Sequence, residues 1–120
     1  MALSKRNSRA IEVDGTEYRW AVSGDSGFVT LVVQAAAGSG SKLEVNIAEI
    51  RQGRPEAFHE AYGLVADSPS GSKLSVTPQG VERIIGEAIE IGWNPTENGA
   101  PAEMTLAAEG LEVRRGVPGA

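Results

Sequence analysis

Cysteine is missing from this 120-residue chain, and histidine occurs once, at His59. The first absence excludes disulfides, thiolate zinc sites, iron–sulfur clusters and a cysteine nucleophile. The second leaves a multi-histidine metal site without ligands in one chain, and any Ser-His-Asp triad would have to use His59. Neither a metal nor a cofactor is expected. Aromatic residues are also scarce, with two each of Trp, Tyr and Phe, so each ring should be a main anchor of the fold. No apolar run approaches the ~20 residues that span a bilayer. Residues 1–10 are basic but lack the apolar stretch of a secretory signal. A cytoplasmic protein with no membrane contact is the expectation.

What the chain does contain is glycine and proline, 15 and 6, with a core drawn from Val, Ile and Leu. That composition fits one small, turn-rich domain. We place it at residues 10–115, after a basic flexible tail (1–9) and before a frayed C-terminus (116–120). The net charge is −5, and Lys5, Arg6 and Arg9 of the tail leave −8 on the remainder. An acidic body repels phosphate backbones, so no nucleic-acid partner is expected. It suits a basic protein partner, because complementary charge steers association. The plainer reading, that the charge keeps the protein in solution, weighs more.

Ile11 and Val13 alternate with polar neighbours, the period of a half-buried strand. Asp14-Gly15 then signals a two-residue hairpin. Beyond it Tyr18, Trp20 and Val22 share one face, with Glu17, Arg19 and Ala21 on the other. Residues 28–34 are apolar on both faces and read as a central strand. Leu43, Val45 and Ile47 alternate again. Residues 51–72 are ambiguous: a short helix ending at Gly63 and an irregular edge segment both fit. Lys73–Val76 reads as a fifth strand of the sheet. Met104 and Leu106, then Leu111 and Val113, suggest a last hairpin or one strand and a tail.

The clearest element is a helix over residues 78–91. Thr77 suits the N-cap and Pro78 the first turn. Val81, Ile84, Ile85 and Ala88 form an apolar stripe that Ile89 and Gly92 continue. Arg83 and Glu87 stand outside it at an i,i+4 spacing. Gly92 suits a helix end, and Pro95 prevents resumption.

Ile11-Glu-Val-Asp-Gly-Thr-Glu-Tyr-Arg-Trp20, Val76-Thr-Pro-Gln-Gly-Val81 and Ala88-Ile-Glu-Ile-Gly-Trp-Asn-Pro95 together resemble a group of small uncharacterised bacterial proteins. That group pairs a VDG-x-x-YRW strand with a VTP-x-x-V helix ending in GW-x-P. The motifs punctuate a fold, so the resemblance brings no activity with it. Residues 96–120 lie beyond it.

Chemistry is hard to find. His59 lacks a second histidine four residues on, where Gly63 stands, so no zincin motif exists. A Glu56/His59 acid–base pair is geometrically available on a helix, against the commoner reading of a packed or surface histidine. Gly38-Ser-Gly-Ser-Lys42 leads into a strand and not a helix, which makes it a hairpin loop and not a phosphate cradle. The carboxylates read as a solvated face. Arg19, opposite the Tyr18/Trp20 face, could hold a carboxylate or a partner, or pair with a cross-strand Glu. Trp20 and Trp93 read as anchors before they read as stacking platforms.

The expected architecture is α+β: an antiparallel sheet of five or six strands with one amphipathic helix packed on a face. Phe28, Thr30 and Val32 would make the opposite face half-apolar, a common place for homodimerisation. The leading function is a non-enzymatic binding or interaction module, with Arg19 and His59 as candidate binding residues. The alternatives are an immunity-type inhibitor of a basic toxin, and a small-molecule enzyme using a sheet cleft.

Overall fold

A two-residue loop needs positive φ at both central positions to match the twist of the strands it joins. Asp14 (φ 49°) and Gly15 (φ 80°) supply it. They join β1 (Arg9–Val13) to β2 (Thr16–Asp25), in register from Val13↔Thr16 to Arg9↔Trp20. The computed structural model describes residues 8–25, 28–36, 40–48, 57–66, 74–96, 99–107 and 110–115. The expected tail and frayed end fall outside these, except that Ser8 is described and Arg9 already belongs to β1.

The chain continues through β3 (Phe28–Ala35), β4 (Leu43–Ala48), α1 (Ala57–Ala61), β5 (Leu64–Ala66), β6 (Leu74–Val76), α2 (Pro78–Ile91), β7 (Ala102–Ala107) and β8 (Gly110–Arg115). Six strands form one sheet in the order β1-β2-β3-β4-β7-β8, with α2 packed against it. The fold is therefore α+β, as the sequence patterning implies. One pair, β4 and β7, is parallel. Between them the chain crosses back through α2, and a crossover returns a strand in its original direction.

The segment expected as a fifth sheet strand does not join this sheet. β6 pairs with β5 in a separate hairpin, Leu64↔Val76. The cause is local. The Thr77 hydroxyl donates to the Gly63 carbonyl (2.9 Å), which pins the chain just before β5 to the residue just after β6.

Thr77 also caps α2 by accepting from Gly80 N–H (3.2 Å), and Pro78 opens the first turn. Gly80, Val81, Ile84, Ile85 and Ala88 are buried, but Ile89, expected to extend the stripe, is 40% exposed. At 3.6 residues per turn it sits a quarter-turn from the stripe's centre, at the shoulder. The stripe meets Leu31, Val33, Leu43, Val45, Met104 and Leu106. These alternate with the outward residues of the same strands. Backbone contact between α2 and the sheet is closest at β1 and β8, its two edges, so the sheet curls around the helix.

The other face carries Arg19, Ala21, Thr30, Val32, Gln34, Glu44, Asn46, Glu103, Thr105 and Glu112. The Thr30 hydroxyl donates to Asn46 Oδ1 across β3 and β4 (3.0 Å). Of the half-apolar patch expected there, Val32 is half-buried between Ala21 and Glu44, and the Phe28 side chain lies outside the described residues.

Candidate functional site

Gly80 fixes where the two helices meet. A Cβ at this position would collide with the Tyr62 carbonyl, so only glycine lets the first turn of α2 reach the end of α1. Between them and the β1–β2 turn lies a half-open cleft of about 500 Å³. Its walls are Val13 and Asp14 from the turn, Glu60 to Gly63 from α1 and its exit, and Gln79, Gly80, Glu82, Arg83 and Gly86 from α2.

A bonded group of side chains forms one wall. The Tyr62 hydroxyl donates to Glu87 Oε1. Arg83 Nε donates to Glu87 Oε2 (2.9 Å), and its Nη1 donates to the Ala61 carbonyl (2.7 Å). The same guanidinium lies 4.6 Å from the centre of the Tyr62 ring. Tyr62 is only 4% exposed, and burial first, then the bond to Glu87, pushes its phenol up to about 12. At neutral pH this phenol keeps its proton, while Glu87 and Arg83 are committed to each other. The group is built to hold a geometry and not to trade protons, since a useful acid or base titrates near the working pH.

The two binding residues named from sequence are not brought together. Arg19 lies on the outer face, where its Nε and Nη2 donate to the Ser8 hydroxyl and carbonyl (2.7 Å each). His59 is buried in α1, on the side of the sheet that α2 covers. Tyr18, Trp20 and Trp93 are buried. Tyr18 and Trp93 meet with ring centres 6.1 Å apart, and Trp93 Nε1 donates to the Ser41 carbonyl (3.3 Å). Trp20 lies under the Arg9 guanidinium at 5.6 Å, with its indole N–H buried and unbonded. Among the described residues no three His, Asp or Glu side chains are grouped to hold a metal. No helix among them is long and apolar enough to cross a membrane.

Sequence reasoning saw the Arg83/Glu87 spacing but not its third member. Tyr62 is 25 residues from Glu87 in the chain, and the Thr77–Gly63 bond and the Gly80 contact help bring them together. Compared with known proteins, the chain has no significant match to any family model, curated protein or solved structure.

Proposed function

We propose that the protein is a non-enzymatic interaction module whose cleft receives a cationic group of a basic partner protein. The observation that carries this is the balance of charge in the cleft. Among the described residues Asp14, Glu60 and Glu82 line it with no ion pair, while the guanidinium in its wall, Arg83, is already neutralised by Glu87. A partly enclosed site of uncompensated carboxylates attracts and orients cations, because low-dielectric walls focus the field. The net −8 of residues 10–120 adds long-range steering to the same partner.

An immunity-type inhibitor of a basic toxin is the same recognition with an inhibitory outcome, and blocked toxin activity on mixing would separate it from simple binding. The enzyme reading has less support, since Arg19 and His59 lie on different sides of the sheet and the cleft's phenol is locked protonated. Homodimerisation through the outer sheet face has Ala21 and Val32 in its favour. The cross-strand carboxylate pairs Glu12/Glu17 and Glu44/Glu103 on that face count against it.

The test is calorimetry with an arginine- and lysine-rich peptide against a glutamate-rich one of equal length. The basic peptide should bind, and the triple variant Asp14→Asn, Glu60→Gln, Glu82→Gln should weaken it about tenfold, equivalent to about 1.4 kcal/mol. Equal affinity for the triple variant would remove the cleft from the proposal.

A further inference from the structure

Arg83 does more than line the cleft. Its guanidinium is held on three sides: by the Glu87 carboxylate, by the Ala61 carbonyl and by the face of the Tyr62 ring. This combination suits a guanidinium in particular. The planar fork delivers N–H bonds in two directions at once while its flat face stacks on an aromatic ring, which a lysine ammonium cannot do together. By contrast, Arg9 lies over Trp20 with no carboxylate or carbonyl bond among the described residues.

The cage exists apart from the residue inside it. Tyr62 is placed by the α1–α2 contact at Gly80, its hydroxyl is bonded to Glu87, and the Ala61 carbonyl ends α1. Each cage member therefore has a placing contact besides its contact with Arg83. Arg83 is more exposed than the side chains around it, at 52% against 31% for Glu87 and 4% for Tyr62. The guanidinium opens onto the cleft that Asp14, Glu60 and Glu82 line.

We infer that Tyr62, Glu87 and the Ala61 carbonyl form an arginine-binding cage, which Arg83 fills in the resting chain and which an arginine of the basic partner enters by displacing it. This rests on the cleft reading above and names the group that the cleft recognises. Arg83 acts as an internal competitor. It keeps the carboxylate and ring satisfied when no partner is bound, and it lowers affinity for any cation that cannot make all three contacts.

Vacating the cage tests this. Arg83→Ala should bind an arginine-rich peptide about tenfold more tightly than the wild type, while affinity for a lysine-rich peptide changes less than about twofold. Free methylguanidinium should raise the thermal midpoint of Arg83→Ala and leave the wild type unmoved, and ethylammonium should do neither. Adding Glu87→Gln to Arg83→Ala should abolish both gains. Circular dichroism establishes that each variant is folded, and Arg83→Lys, which keeps the charge but loses the fork, should show part of the gain. An Arg83→Ala protein that binds both peptides no better than the wild type and ignores methylguanidinium would overturn the cage. The cleft reading would still stand if the Asp14/Glu60/Glu82 variant weakened binding. No gain in Arg83→Ala together with no loss in the Asp14/Glu60/Glu82 variant would sink both.

Discussion

The two halves of α2 are built from the same amphipathic pattern and serve opposite ends. The C-terminal half ends at Gly92, whose N–H returns to Ala88 and Ile89, and hands the chain to Trp93. Trp93 then packs on Tyr18 and bonds Ser41, tying the helix to β2 and to the start of β4. The N-terminal half packs its stripe as fully, through Val81, Ile84 and Ile85, but its outer side opens onto a cleft lined with charge. One half anchors the fold, and the other spends its exposed face on a site. The difference arises from single residues. Tryptophan after the last turn fills space, whereas Gly80 lets the Tyr62 backbone come close and Gly86 leaves open space.

Substitutions in the two halves should therefore behave differently. The largest loss is expected in the anchoring half: Trp93→Ala should lower stability by about 3–5 kcal/mol in urea unfolding, through lost packing and a cavity. A cost near zero would show that Tyr18 repacks without it. Gly80→Ala comes next, at about 2–3 kcal/mol, because the new methyl meets the Tyr62 backbone and something must shift. Binding of the basic peptide should fall with it, which Trp93→Ala at a temperature where it stays folded should not cause.

Tyr62→Phe should cost about 1–2 kcal/mol at neutral pH for the lost bond to Glu87. This effect has a pH signature. The folded phenol titrates near 12 against an ordinary value of 10.0, so the unfolded chain releases its proton first. The stabilisation is then complete below pH 10 and is lost as pH rises towards 12. The gap between wild type and Tyr62→Phe should narrow through that window. A gap that stays constant would mean the two states share one phenol pKa. The smallest effect should have the opposite sign. Gly86 sits mid-helix with nothing near the place of a Cβ, so Gly86→Ala should stabilise by about 0.5–1 kcal/mol.

The contrast between the halves was only partly legible in the sequence. The helix limits, Thr77 as cap and Gly92 as stop follow from local residue chemistry, which acts over a few positions and can be read along the chain. The faces of β2, β3 and β4 followed from alternation for the same reason. The parallel β4–β7 pair was not legible, because alternation reports which way side chains point and not which strand lies alongside. Nor was the β5–β6 hairpin, whose base is joined by a hydroxyl bond between Thr77 and Gly63, 14 positions apart in the chain. The cleft is the extreme case. Arg83 and Glu87 announce themselves by spacing, but Tyr62 joins them only once Gly80 has let α1 and α2 touch.

The most direct test of the central claim is to map, amide by amide, where an arginine-rich peptide binds by chemical-shift perturbation in solution. Shifts should concentrate at Asp14, at Glu60 to Gly63 and along Gln79 to Glu87, and should fade in the Asp14→Asn, Glu60→Gln, Glu82→Gln variant. Shifts confined to the outer sheet face, at Glu12, Glu17, Glu44 and Glu112, would contradict the account and move recognition away from the cleft.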